Sequence, residues 1–87
     1  MTGSYSLRIK KSADRELRAI PQPDLGRIVR RIQGLAQGPH PAGHEKLSGQ
    51  DRYRVRQGDY RIVYAVDDAA KAVEIVKIGH RREVYRG

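Results

Sequence analysis

Three arginines in the segment 53–64 have the type and the spacing to hold a polyanion. Gly58-Asp59 predicts a two-residue turn, which is the commonest connection of a β-hairpin. Because opposed residues share a face and neighbours alternate, that turn places Arg54, Arg56 and Arg61 on one face, with Arg56 opposite Arg61. Opposed like charges destabilise a sheet by a few tenths to about 1 kcal/mol, and a bound phosphate relieves them. We therefore expect an anion site here; the alternative is that the side chains extend separately into water.

A second basic group follows near the end of the sequence. Gly79 is expected to end the last strand, so that the following residues fold back over the open face of the sheet. Tyr85 is then placed either to stack on a nucleic-acid base, a contact worth about 1–3 kcal/mol, or to pack and fix the tail. His80 is a candidate acid or base because histidine titrates near neutral pH. The basic residues of this group are Arg81, Arg82 and Arg86.

The charge of the chain favours a nucleic-acid partner. Lysine and arginine number 18 against 10 acidic residues, which gives a net charge of +8. Arginine supplies 13 of the 18 cations, and its planar fork suits phosphate. The alternative is a basic surface that only aids solubility.

Length and the remaining composition limit the class of protein. The 87 residues are expected to form one domain, residues 1–87, with a thin core and no deep enclosed pocket. The sequence has no cysteine, no apolar run that approaches a membrane span and no secretory signal in residues 1–11, so we expect a cytoplasmic protein with no membrane partner. We also expect no cofactor and no metal, because prolines and glycines keep His40 and His44 out of the helix that would align them as ligands.

The first half of the sequence predicts a strand followed by two helices. Residues 5–9 alternate apolar and polar, as a half-buried strand does. Ser12 is expected to cap the first helix, which ends at Pro21, and Pro23 opens the second. Residues 38–44, rich in proline and glycine, predict a loop. The apolar face of the first helix carries Ala13, Leu17 and Ile20; that of the second carries Leu25, Ile28, Val29, Ile32, Leu35 and Ala36, with Arg27, Arg30, Arg31 and Gln33 in water.

The second half predicts a meander of three strands over 53–57, 60–66 and 72–78. The hairpin face that packs on the helices is expected to consist of Tyr53, Val55, Ile62 and Tyr64. The third strand is expected to be covered on both faces, with apolar residues pointing both ways: Val73, Ile75, Val76 and Ile78. The order β-α-α-β-β-β predicts an α+β domain with two N-terminal helices packed on one face of a small, mostly antiparallel sheet. Function is expected on the other, open face.

Over nearly its whole length the sequence resembles the RelE/ParE superfamily of type II toxin–antitoxin toxins. The most specific parts are YRVRQGDYRIVY at 53–64 and GHRREVY at 79–85. KSADREL at 11–17 and KLSG at 46–49 extend the resemblance. It implies the microbial-RNase-like α+β fold of RelE.

The resemblance to RelE toxins implies a ribosome-dependent mRNA endonuclease that cleaves in the ribosomal A site and so inhibits translation. The implied chemistry is metal-free: the ribose 2′-hydroxyl attacks the adjacent phosphate and displaces the 5′-oxygen. Arg54 and Arg56 match the two basic strand positions of the family, and Arg61 matches its phosphate-binding arginine. Arg81 matches the arginine after the last strand, and Tyr85 the tyrosine that stacks on the substrate base.

The family often has lysine where this chain has Arg54 and Arg56, and one such lysine can accept a proton. Arginine does not release its proton at physiological pH. The base is then expected to be His80, Glu83, a residue of the ribosome, or no strong base at all.

The implied partners are the ribosome with its mRNA and a cognate antitoxin. A chain of charge +8 is expected to attract an acidic or amphipathic antitoxin segment, disordered until bound, that lies over the helices or the exposed sheet edge. Two other functions remain open. One is a ParE-type toxin that inhibits DNA gyrase; the other is a basic nucleic-acid-binding module without catalysis.

Overall fold

Two helices and a five-stranded sheet make up the part of the chain that the computed structural model describes, residues 4–41, 43–47 and 52–80. In chain order the elements are β1 (Ser6–Ile9), α1 (Lys11–Arg18), α2 (Asp24–Gln37), β2 (Glu45–Lys46), β3 (Arg52–Gln57), β4 (Tyr60–Asp67) and β5 (Ala72–His80). The strand order across the sheet is β1-β5-β4-β3-β2. Only β1 runs parallel to its neighbour among these pairs, so the prediction of a mostly antiparallel α+β fold is confirmed. The short strand β2 was not predicted.

The first helix begins one residue before the predicted cap. Lys10 occupies the N-cap position of α1 without a side-chain cap, so the assignment of Ser12 as the cap is wrong. The reason lies in the sheet: the Lys10 N–H still donates to the Ile75 carbonyl at 3.0 Å, and the Lys10 carbonyl accepts from the Asp14 N–H at 2.8 Å. The chain therefore passes from β1 into the helix at a single residue.

The second helix follows its predicted pattern. It starts directly after Pro23, which occupies the N-cap position, and Ile28, Ile32 and Leu35 are buried along one face. Arg31 is half-buried rather than fully in water. Among the described residues, neither helix is long and apolar enough to cross a membrane.

One face of the sheet packs on both helices and forms the core. Burial of apolar side chains between these two layers is the dominant stabilising term for such a domain. The core cluster consists of Ala13, Leu17, Ile20, Ile28, Ile32, Leu35, Val55, Ile62, Tyr64, Val73, Ile75 and Ile78.

The hairpin of β3 and β4 has the register that the sequence predicts. Gly58 is the first of the two central residues of the turn. Its φ is +60°, and two-residue hairpin turns favour glycine where φ is positive. Tyr53 is opposite Tyr64 and Val55 is opposite Ile62, both pairs on the helix side. Arg54, Arg56 and Arg61 therefore lie on the opposite face.

Three of the four apolar residues singled out in β5, Val73, Ile75 and Ile78, belong to the core on the helix side, whereas Val76 does not. Val63 pairs with Lys77 while Tyr64 pairs with Ile75, so Val76 is an extra residue in a β-bulge. A bulge resets the alternation of side chains. Ile75 and Ile78, three positions apart, therefore both enter the core with exposures of 0% and 1%. The expectation that Gly79 ends the strand is wrong, because β5 continues to His80.

Candidate functional site

The face of the hairpin that points away from the helices gathers three arginines. Arg56 and Arg61 are directly opposed, and Arg54 shares their face because it lies two positions from Arg56 and opposite Val63. Arg61 is 4% exposed, which is unusual for an arginine. On its other side Arg61 is opposite Gly79 of β5, which carries no side chain.

These three arginines line one depression of about 440 Å³, which we call the arginine depression. The expected gathering of Arg54, Arg56 and Arg61 at one place is therefore confirmed. Their neighbours come from α2, from the loop before β2 and from β2 itself. The described residues that line it are Arg31, Gly43, His44, Glu45, Arg54, Arg56 and Arg61.

Glu45 partly neutralises the arginine depression. It is opposite Arg54 in the β2–β3 pair, and its Oε1 accepts a hydrogen bond from Arg54 Nη2 at 2.9 Å. The hydrogen bond and the charge of Arg54 lower the pKa of Glu45, and Arg56 and Arg61 lower it further. Among the described lining residues one carboxylate faces four guanidinium groups, and this net positive charge suits an anion.

Sequence reasoning did not place Arg31 and His44 at this site. Arg31 comes from α2, where the helical periodicity assigned it to water, and its Nε is buried without a hydrogen-bond partner among the described residues. His44 comes from the loop before β2, and its spacing from His40 raises only the question of a metal site. Nothing in the local sequence pattern could have found either residue, because the packing of distant segments brings them to the hairpin.

His80 lies elsewhere. It is opposite Tyr60 on β4, and their ring centroids are 5.8 Å apart. Tyr60 shares the face of Ile62 and Tyr64, the face that packs on the helices. His80 accordingly lines a separate depression with Glu16, Ala19 and Ile20, residues of α1 and the segment after it. The structure therefore does not bring His80 to the arginines.

The remaining predicted site residues lie outside the described residues: Arg81, Arg82, Glu83, Tyr85 and Arg86. His40 and His44 lie with ring centroids 5.4 Å apart, and both contact the ring of Tyr53. Within residues 4–41, 43–47 and 52–80, no three metal-ligating side chains converge.

Comparisons with known protein sequences find a family model and relatives that span most of the chain. Residues 7–85 match the family model of the ParE toxin of type II toxin–antitoxin systems. Toxin RelE of Mycobacterium tuberculosis is 34% identical over 84 residues, which cover 94% of this chain and 87% of that protein. Toxin RelG of the same organism is 31% identical over 86 residues, which cover 94% of this chain and 97% of that protein.

Solved structures agree. A chain of the toxin–antitoxin complex RelBE2 from M. tuberculosis superposes with a TM-score of 0.80 at 27% identity, covering 93% of this chain and 95% of that one. A chain of the archaeal RelE–RelB complex from Pyrococcus horikoshii superposes with a TM-score of 0.77 at 28% identity, covering 90% and 96%. This chain therefore belongs to the RelE/ParE superfamily and is a RelE-family toxin of a type II toxin–antitoxin system.

Proposed function

We propose that the chain is a ribosome-dependent endoribonuclease that cleaves mRNA in the ribosomal A site and thereby inhibits translation and arrests growth. The observation that carries this proposal is the direct opposition of Arg56 and Arg61, with Arg54 on the same face. Such an arrangement costs stability unless an anion occupies it. A ribosome-bound substrate also makes the cytoplasm the site of action.

In the proposed reaction the ribose 2′-hydroxyl attacks the adjacent phosphate and the 5′-oxygen leaves. Arg61 stabilises the charge that builds on the phosphate oxygens in the transition state, which is usually the largest catalytic contribution. Its burial strengthens this effect because less water screens the charge. The guanidinium groups supply the positive charge that the reaction needs, so the proposal involves no metal ion and no cofactor.

Arg54 and Arg56 hold the scissile phosphate and its neighbour in this proposal. Fixing the phosphate relative to the 2′-oxygen supplies orientation, which lowers the barrier by converting a loose encounter into a positioned one. Arg31, half-buried on α2, adds a fourth guanidinium at the edge of the same depression. Requiring a 2′-hydroxyl also makes the enzyme inactive on DNA.

The last residues of the sequence complete the proposed site. By resemblance to RelE toxins, Arg81 assists Arg61 at the phosphate and Tyr85 stacks on the substrate base. Arg82 and Arg86 contribute further contacts with the RNA. His80 receives no role in this proposal because it lines a different depression.

A cognate antitoxin is the second proposed partner. Solved relatives of the chain form RelB–RelE complexes, including those of M. tuberculosis and P. horikoshii. The net charge of +8 favours an antitoxin segment that carries acidic residues.

Cleavage mapping on translating ribosomes tests the proposed activity. The purified chain is added to ribosomes programmed with a defined mRNA, and the 5′ ends of the fragments are mapped by primer extension. We expect cuts within the codon in the A site, none on the same mRNA without ribosomes, and none when the residue 5′ of the scissile phosphate is a 2′-deoxynucleotide. Cuts that persist at the deoxy position would exclude attack by the 2′-hydroxyl.

Inhibition of DNA gyrase is the second candidate function, and the match to the family model named for ParE toxins favours it. A supercoiling assay with purified gyrase separates the two functions. Blocked supercoiling with intact mRNA would establish the gyrase inhibitor, whereas cut mRNA with normal supercoiling would establish the ribonuclease. Failure in both assays would leave a basic nucleic-acid-binding module.

A further inference from the structure

Few of the described residues that line the arginine depression can accept a proton. Its four arginines stay protonated at physiological pH. Glu45 is the carboxylate of the lining, and its ion pair with Arg54 lowers its pKa, which makes it a weak base. His44 is the remaining titratable residue among the described residues that line the depression.

The ring of His44 is held in one tautomer. Its Nδ1 lies 2.7 Å from the Pro41 carbonyl oxygen. A carbonyl oxygen can only accept, so Nδ1 carries the hydrogen and donates it. In the neutral imidazole the lone pair is then on Nε2, the arrangement that a histidine general base requires.

Ring contacts also fix the position of His44. Tyr53 of β3 lies with its ring centroid 5.4 Å from that of His44, and Tyr53 in turn stacks on the buried Tyr64 at 5.7 Å. His44 is half-buried at the point where the loop enters β2, next to Glu45. Packing and the Pro41 hydrogen bond together limit the motion of the imidazole, as a catalytic group requires.

We infer that His44 is the general base of this toxin and accepts the proton of the ribose 2′-hydroxyl at Nε2. The inference rests on the proposed ribonuclease function. It names the proton acceptor, a role that Arg54 and Arg56 cannot fill because arginine stays protonated. As the O2′–P bond forms, the proton passes from O2′ to Nε2 of His44. As the P–O5′ bond breaks, its electron pair stays on O5′, which takes a proton from water. The products are a 2′,3′-cyclic phosphate and a 5′-hydroxyl.

Rate measurements at several pH values test this assignment. The charged and titratable groups around His44 are Glu45, His40, Tyr53 and the arginines of the depression. A general base acts only in its unprotonated form, so the single-turnover cleavage rate of the wild type on programmed ribosomes should rise with pH from acidic to neutral solution. A wild-type rate that does not depend on pH in this range would overturn the assignment.

Two matched variants separate His44 from its neighbour. His44→Asn keeps an amide N–H that can donate to Pro41 but removes the base, and we expect its rate at neutral pH to fall by about 10²-fold or more, without the rise with pH. His40→Asn is the control, because His40 contacts the same Tyr53 ring without lining the depression, and it should keep the wild-type rate and pH profile. Thermal unfolding and antitoxin binding check that both variants fold.

A substrate with sulfur in place of the 5′-bridging oxygen distinguishes a base from an acid. A thiolate leaves without protonation, so this substrate needs no general acid. If His44 is the base, His44→Asn should stay slow on it. Recovery of the wild-type rate would instead mean that His44 protonates the leaving group, and would overturn the inference. Cleavage by His44→Asn at the wild-type rate would overturn it as well and leave the ribonuclease function standing. If the wild type cuts no mRNA at all, the proposed function fails and the inference fails with it.

Discussion

Arg56 and Arg61 lie directly opposite each other on β3 and β4, so two permanent positive charges share one face of the hairpin. Arg54, two positions away on the same face, pairs with Glu45, which leaves an excess of positive charge in the arginine depression. A fold selected only for stability would place a neutral or acidic residue at one of the opposed positions. The cost is consistent with a site that is completed by a phosphate group.

Replacement of Arg56 should stabilise the folded chain. Arg56→Thr removes the repulsion with Arg61, so we expect the free energy of unfolding to rise by a few tenths to about 1 kcal/mol. Arg52→Thr is the control, because Arg52 is opposite Ala65 and gains only the same change in strand propensity. Urea unfolding at low salt measures both variants, and an equal shift of the two midpoints would contradict the predicted repulsion.

Loss of Arg61 should abolish toxicity without loss of antitoxin binding. Arg61→Ala removes the buried guanidinium that we assign to the transition state, where one donor is typically worth a factor of about 10²–10³ in rate. Growth after induction in cells gives the first readout, and pull-down with the antitoxin tests whether the variant is folded. Undiminished growth inhibition by Arg61→Ala would remove this residue from the mechanism.

Lysine should replace Arg54 or Arg56 better than alanine does. Lysine keeps the charge but loses the two-pronged hydrogen bond of arginine to phosphate, so we expect a smaller loss of cleavage rate for Arg→Lys than for Arg→Ala. Single-turnover rates on programmed ribosomes compare the four variants. Equal losses for the two substitutions would show that hydrogen-bond geometry, and not charge, carries the contribution.

Removal of the Glu45 carboxylate should strengthen the binding of RNA. Glu45→Gln breaks the 2.9 Å ion pair with Arg54 and raises the positive charge of the depression by one unit. We expect tighter binding to a short RNA and a steeper loss of affinity with salt, because one more phosphate contact is available. Fluorescence anisotropy over a series of salt concentrations measures both. The free energy of unfolding should change little, because Glu45 is exposed and exposed ion pairs contribute little. An RNA affinity equal to that of the wild type would show that Glu45 does not compete with the RNA.

Tyr64 should make the stability depend on alkaline pH. Its hydroxyl donates to the buried Pro39 carbonyl at 2.7 Å, and burial raises the pKa of Tyr64 to about 12. The folded chain therefore holds this proton more tightly than the unfolded chain, where tyrosine titrates near pH 10, so the stabilisation is complete below about pH 10 and is lost as the pH rises to about 12. Tyr64→Phe should lose about 1–3 kcal/mol at neutral pH, because it leaves the Pro39 carbonyl unsatisfied, and should show a weaker decline at high pH. Urea unfolding from pH 8 to 12 compares the two proteins, and parallel curves would contradict the assignment.

The hairpin and its arginines follow from the sequence alone. Alternation along two strands and a turn that glycine favours are local properties, so the residues 53–64 contain all that is needed to place Arg56 opposite Arg61. The core face of α2 is likewise local, because one helical period sorts Ile28, Ile32 and Leu35 to one side.

The positions of several site and core residues depend on the pairing of distant segments and could not be predicted from local sequence patterns. The bulge at Val76 depends on how β5 meets β4, and it carries Ile78 into the core and leaves His80 opposite Tyr60 instead of beside the arginines. Arg31 and His44 reach the depression only because α2 and the loop before β2 pack near the end of β3. Local patterns determine which side of an element a residue occupies, whereas the packing of elements far apart in the chain determines which sides meet.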